Sequence, residues 1–205
     1  MNVPASDVLV VVDVQNDFCP GGALAVPEGD AVLPIVNPLI AEAGHTVLTQ
    51  DWHPPGHSSF ASRHPGKQPF ESTTMVYGEQ TLWPDHCVQG TAGAAFHPAL
   101  QTEKAELVIR KGFRPEIDSY SAFFENDRAT PTGLHGYLQE RGFTGVTLVG
   151  LAYDFCVFYS AMDARRLGYG VRVVAPGCRA IDLSGSKDAA TRDMLAAGVE
   201  IADPG

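Results

Sequence analysis

No two cysteines of this chain are spaced as Cys-x-x-Cys, no basic residues cluster, and no apolar run approaches the length of a membrane span. The four cysteines, at positions 19, 87, 156 and 178, therefore read as reduced thiols rather than as a disulfide framework or a zinc ribbon. Lys and Arg number 14 against 24 Asp and Glu, for a formal charge of −10. That balance argues against nucleic acid and against an anionic membrane surface, and leaves a small or neutral partner. The longest aliphatic run, at 8–12, falls far short of the ~20 residues that cross a bilayer. Residues 1–7 hold neither the basic nor the apolar stretch of a secretory leader, so the expected location is the cytoplasm. Repeats, low-complexity tracts and charge runs are missing too. Gly21-Gly22 and the stretch at 90–93 match no phosphate-binding loop and read as turns.

What is present is enough apolar residue, 44% of 205, to bury one sizeable core, so a single domain over 1–205 is expected. Continuous β-branched runs at 8–14, 46–50, 107–110, 146–150 and 171–175 have the pattern of strands buried on both faces, as in a parallel sheet. Helical stretches at 30–43, 132–141, 154–167 and 186–197 alternate with them, the last ending on Gly198 as a C-cap. The pattern predicts an α/β fold, a three-layer α/β/α sandwich of Rossmann-like type with a mostly parallel central sheet. One segment, 51–96, has no sustained period but holds five prolines, four histidines and both tryptophans. A loop of that length inside a domain is usually functional, so it is expected to border the active site.

In open α/β sheets ligands bind beyond the carboxyl ends of the strands, which directs attention to Asp13, to Asp51 and His53, to Lys111 and to Cys156. Cys156 falls where a strand gives way to a helix starting near Asp154. There the helix dipole favours a thiolate, and unpaired N–H groups can receive a developing oxyanion. Most intracellular cysteines are buried hydrophobes, so partners elsewhere must decide. Asp13 ends an aliphatic run, where a carboxylate is desolvated and its pKa raised unless a cation compensates. Lys111 ends another, and acid, lysine and thiol together supply a base, a charge and a nucleophile. An ordinary ion pair at a sheet edge is the rival reading of Asp13 and Lys111. Asp51-Trp-His53 sets two ligand-type side chains on one side of an extended chain. His86, in Trp83-Pro-Asp-His-Cys87, can complete a three-ligand site with open positions, and Cys87 is a rival ligand. His57 and His64 are expected to be solvated loop histidines.

Five stretches in this order and spacing resemble a known family: Asp13-Val-Gln-Asn-Asp-Phe18-Cys-Pro-Gly-Gly, Asp51-Trp-His53, Trp83-Pro-Asp-His86-Cys-Val-Gln-Gly, Arg110-Lys111-Gly, and Gly150-Leu-Ala-Tyr-Asp-Phe-Cys156-Val. They are similar to the nicotinamidases of the isochorismatase-like cysteine hydrolase superfamily, over a span from about residue 8 to beyond 178. The resemblance implies an isochorismatase-like hydrolase fold and a triad of Asp13, Lys111 and Cys156. It implies one divalent ion (zinc, iron or manganese) on Asp51, His53 and His86. An oxyanion hole from the backbone N–H groups of Ala152 and Cys156 is implied as well, set by a cis peptide between Leu151 and Ala152. Phe18, Trp83, Tyr120 and Leu151 stand where the family contacts its ring substrate. The implied reaction converts nicotinamide to nicotinate and ammonia through a cysteine thioester, extends to pyrazinamide, and serves NAD salvage. The presence of Cys156 argues against the isochorismatase branch, which works without that thiol. Two positions depart from the pattern: Tyr153 replaces a common threonine, and Phe155 a more polar neighbour of the nucleophile. The rival readings are a cysteine amidase of the same superfamily acting on a carbamoyl or ureido substrate, and a non-catalytic metal-binding or redox-sensing protein. The sequence leaves a homo-oligomer open.

Overall fold

The computed structural model describes residues 3–4 and 6–202; the expected domain limits at 1 and 205, and part of the 1–7 stretch, lie outside them. The apolar runs become strands β1 (Asp7–Val12), β2 (Thr46–Asp51), β5 (Leu107–Lys111), β6 (Gly145–Leu151) and β7 (Gly170–Arg179), with β3 (Ser72–Met75), β4 (Gly78–Thr81) and β8 (Glu200–Ala202) in addition. The helices are α1 (Leu33–Glu42), α2 (Leu134–Glu140), α3 (Phe158–Arg166) and α4 (Ser186–Ala196). Six strands form one sheet in the order β5-β2-β1-β6-β7-β8, and every pairing in it is parallel.

Because side chains alternate along a strand, β1 splits its valines and leucine between two cores. Leu9 and Val11 face α1 through Val36, Leu39 and Ile40. Val8, Val10 and Val12 face the other layer, where Leu134 and Leu138 of α2, Ala161 and Ala164 of α3, and Ala190 and Met194 of α4 pack. Both faces of β1 are thus sealed, with Val8 to Val12 at most 1% exposed, which is why the run shows no polar alternation. Each such side chain contributes roughly 1.5–3 kcal/mol of burial at the upper bound. The expected three-layer α/β/α sandwich is the observed architecture.

Some elements differ from expectation. The 154–167 helix is a π-helical turn, Tyr153–Val157, running into α3. The 30–43 helix opens as a 3-10 turn, Gly29–Val32. The long 51–96 segment holds an antiparallel β3–β4 hairpin and a 3-10 turn, Ala61–Arg63. It is closed on itself by isolated bridges, His53 with Val88 and Phe60 with Trp83, and tied to the body by a bridge between Phe96 and Gln15. Strand β1 stops one residue before Asp13, which takes the left-handed region at φ 48°.

The ends of β1 and β6 meet closely at Gly150. Its φ is +115°, and a Cβ there would lie 2.1 Å from the Val12 carbonyl oxygen. Only glycine satisfies both conditions. Gly150→Ala is therefore expected to destabilise the protein by about 3 kcal/mol or more, summing backbone strain and overpacking. The midpoint of urea unfolding measures it, and an unchanged midpoint would mean that the two strand ends can separate freely.

Candidate active site

The sheet order sets the carboxyl ends of β5, β2, β1 and β6 side by side, so Lys111, Asp51, Asp13 and Cys156 arrive in a row. Lys111 is 1% exposed. Its Nζ lies 2.7 Å from Asp13 Oδ2 and 3.0 Å from Asp51 Oδ1, donates to the Ser119 carbonyl at 3.0 Å, and comes within 3.5 Å of Cys156 Sγ. Burial would push this amine down, but Asp13 and Asp51 outweigh it and hold the ammonium form well above its usual range. Asp13 is fixed from the other side: Thr49 Oγ1 donates to Asp13 Oδ1 at 2.6 Å and accepts the Asp13 N–H at 3.2 Å. Burial raises the Asp13 carboxyl in spite of Lys111, which suits it to hold a proton.

Burial also pushes the Cys156 thiol well above its ordinary range; Lys111 opposes this, while Asp13 and Asp51 reinforce it. Desolvation thus works against the helix-terminus argument for a standing thiolate. Around it, the π-helical turn folds back on Ala152, whose carbonyl accepts the N–H groups of Phe155 and Val157 at 3.1 Å each. The Leu151–Ala152 peptide is cis.

Beside the row, Asp51 Oδ2 faces His53 Nε2 at 2.9 Å and His86 Nε2 at 3.3 Å. The far nitrogens are occupied: His53 Nδ1 bonds the Gly112 carbonyl at 2.9 Å and His86 Nδ1 the Pro84 carbonyl at 2.8 Å. A carbonyl only accepts, so each Nδ1 carries a proton. Each Nε2 then meets the carboxylate either as an imidazolium or, bare, as a ligand. Two bare nitrogens and a carboxylate oxygen converging on one point form a donor set for a divalent cation, with the tautomers fixed from outside. Gln15 orients the carboxylate residue, exchanging two 2.8 Å bonds with the Asp51 backbone. Gly112, at φ +66°, lets His53 in, since a Cβ there would sit 2.4 Å from His53 Cε1.

A second grouping, His53 with His57 and Asp118, also has its side chains within reach of one another. His57 is not a solvated loop residue, being wholly buried, because its ring is consumed locally. Its Nε2 lies 2.9 Å from the Arg114 carbonyl and 3.2 Å from that of Ile117, and its Nδ1 accepts the Ser59 N–H at 3.2 Å. No lone pair is left for an ion. His64 Nε2 reaches the Ser58 carbonyl at 2.7 Å and serves the loop.

A small cavity opens between these groups. Cys156, Ala152, Asp51 and His86 line it together with the aromatic rings of Phe18, Trp83, Tyr120 and Phe155. Trp83 stands edge-on to Phe155 at 4.9 Å and to Tyr120 at 6.1 Å between ring centroids. Among the residues expected to contact substrate, Leu151 is absent from this lining; it packs into the core, with Cδ1 against Gly29. Asp118, Leu24 and Ile181 line the cavity although the sequence reading does not single them out. Thr49 carries a legible signal, a hydroxyl inside a strand buried on every residue. Gln15 lies inside one of the five motifs, and nothing in the local pattern marks Asp118.

Comparison with known proteins agrees with this geometry. The isochorismatase domain model matches residues 7–203. The nicotinamidase of Acinetobacter baylyi is 55% identical over 94% of this chain and 90% of its own. Among solved structures, PnC1 from L. infantum in complex with nicotinate superposes with a TM-score of 0.86 at 40% identity, covering 99% of this chain and 96% of that one. The pyrazinamidase of Pyrococcus horikoshii in complex with zinc does so with a TM-score of 0.78 at 34% identity, over 97% and 99%. A domain match across nearly the whole chain, and relatives of this identity over nearly their whole length, mean that the chain belongs to the isochorismatase family.

Proposed function

We propose that the protein is a nicotinamidase: it hydrolyses nicotinamide to nicotinate and ammonia through a thioester on Cys156. The observation that carries this reading is the row itself, a thiol beside a carboxyl and a buried ammonium, opening on a cavity lined by flat aromatic rings. The 55% identical relative named a nicotinamidase and the nicotinate-bound neighbour support the substrate.

Asp13 takes the thiol proton as Cys156 Sγ bonds to the carboxamide carbon. The oxygen gains the negative charge and is received by the N–H groups of Ala152 and Cys156. Asp13 then gives its proton to the departing nitrogen, which leaves as ammonia. Water attacks the thioester as Asp13 takes its proton; the thiolate leaves, Asp13 returns that proton to the sulfur, and the product acid ionises to nicotinate on release. Lys111 stays charged throughout, steadying Asp13 and favouring the thiolate while it exists. Asp51, His53 and His86 would hold one divalent cation, zinc, iron or manganese, which supplies a Lewis acid for a ring nitrogen and for water. Zinc in the Pyrococcus horikoshii neighbour supports that assignment. Phe18, Trp83 and Tyr120 flank the ring. The whole chain, 1–205, acts as one such unit with the 51–96 segment as its active-site border, and the proposed setting is cytoplasmic NAD salvage.

Cys156→Ala should lose several powers of ten in turnover while still folding and binding nicotinamide, as when a covalent route is removed. A variant keeping more than about a tenth of the rate, a loss under ~1.4 kcal/mol, would exclude thioester chemistry here. Asp51→Ala and His86→Ala should each release the cation and the activity together, since three ligands leave none to spare. Metal analysis showing full occupancy in either variant would take that residue out of the ligand set. Pyrazinamide, which keeps a nitrogen at the same ring position, should be hydrolysed, and benzamide should not. Equal kcat/KM for benzamide and nicotinamide would transfer the assignment to a general carbamoyl amidase.

A further inference from the structure

Resting on the nicotinamidase reading, we propose that Gln80 is a positioning residue: from the β3–β4 hairpin it holds the ring-binding wall of the cavity in place. The hairpin is polar and mostly open to solvent, and Gln80 is the one residue of its two strands that is buried, at 1% exposure. Its amide nitrogen lies 2.7 Å from Asp118 Oδ2, 2.8 Å from the Tyr120 hydroxyl and 2.7 Å from the Thr81 carbonyl. Its Oε1 accepts from the Tyr77 hydroxyl and from Asn126 Nδ2, both at 3.1 Å.

The direction of this amide follows from its surroundings. The Tyr120 backbone N–H, which can only donate, bonds Asn126 Oδ1 at 3.0 Å. Asn126 Nδ2 must therefore be the nitrogen, and it must donate to Gln80 Oε1, leaving Gln80 Nε2 to face Asp118 and Tyr120. The Tyr120 hydroxyl receives a second donor, Trp83 Nε1, at 3.0 Å. Gln80 thereby reaches Asp118 and Tyr120 directly and Trp83 through one hydroxyl, and all three line the cavity. None of the three belongs to the Asp13–Lys111–Cys156 row. A buried amide whose two hydrogens are shared among three acceptors and whose oxygen takes two donors is costly to leave unpaired, so the hairpin and the wall are held as one unit. Gln80 touches no reacting atom in this arrangement. Its effect falls on where the ring sits, which distinguishes it from the catalytic residues.

Gln80→Met keeps the side chain's length while removing both ends of the network. Expected is a KM for nicotinamide raised about tenfold, with kcat within about threefold of wild type and the same metal content, as for loss of uniform ring binding. Tyr120→Phe deletes the shared hydroxyl and should raise KM in the same direction. The double variant should be no worse than Gln80→Met by more than about twofold, because the two act through one contact. An unchanged KM in Gln80→Met, or a fall in kcat with KM kept, overturns the proposal. Should Gln80→Met not fold, an unchanged KM in Tyr120→Phe does so alone. Calorimetric titration of nicotinate into the metal-loaded variants reads the wall without turnover. If the wild type releases no ammonia yet Gln80→Met still weakens nicotinate about tenfold, the activity reading fails and this one stands.

Discussion

The buried ammonium of Lys111 is the constraint on which the rest of the site depends. A charge of this kind taken wholly out of water costs several kcal/mol even after relaxation, and the fold offsets it with carboxylates from two other strand ends, Asp13 at 2.7 Å and Asp51 at 3.0 Å. Those three groups can meet only if β5, β2 and β1 are neighbours in register, and the parallel order β5-β2-β1-β6 supplies that. Losing either contact removes one of the two counter-charges of the buried ammonium, so the ion triad and the sheet topology support each other. Cys156, on the next strand end, then stands 3.5 Å from the ammonium as a consequence of the same order.

Burial is the chief cause of the raised Cys156 thiol; Lys111 opposes it, and the charges of Asp13 and Asp51 add to it. The charge of Asp51 also makes its far side attractive to a cation, where His53 and His86 present their Nε2 atoms. The raised carboxyl of Asp13 and the raised thiol of Cys156 thus share one chief cause, burial.

Those parts of the molecule governed by periodicity are legible in the sequence. Apolar runs buried on both faces announce the strands of the parallel sheet, and the rule that ligands gather beyond strand ends is enough to single out Asp13, Asp51, Lys111 and Cys156. His86 needs the motif resemblance, since it comes from an aperiodic loop. Strand β8, three residues with only partial burial, has no run to notice. The β3–β4 hairpin is written in Ser, Thr, Gly and Glu, whose exposed faces leave no alternation of apolar and polar residues to read. The turn at Asp13, with φ 48°, and the π-helical turn that carries Cys156 are fixed by tertiary contacts, which local propensity does not register. Gln15, Gln80 and Asp118 escape a reading of the sequence for one shared reason: a buried amide or acid is recognised by its partners, and the ones that tie these residues into the site are distant, Asp51 lying 36 residues from Gln15 and Asp118 lying 38 from Gln80.

The site consequently has two parts of different origin. The strand-end groups, Asp13, Asp51 and Lys111, inherit the rigidity of a sheet sealed between two helical layers, so their distances are held by the most stable part of the fold. The aromatic lining comes from Phe18, the 51–96 segment, Tyr120 and Phe155, and within it Gln80, Trp83, Asp118 and Tyr120 are joined by side-chain hydrogen bonds. Substitutions there alter which ring is accepted without touching the ion triad, whereas substitutions in the row endanger sheet and chemistry at once. Phe155 lies at the seam, on the turn of Cys156 yet edge-on to Trp83. The size of the side chain at this position therefore bears on the packing of the ring wall and of the turn that carries Cys156 alike.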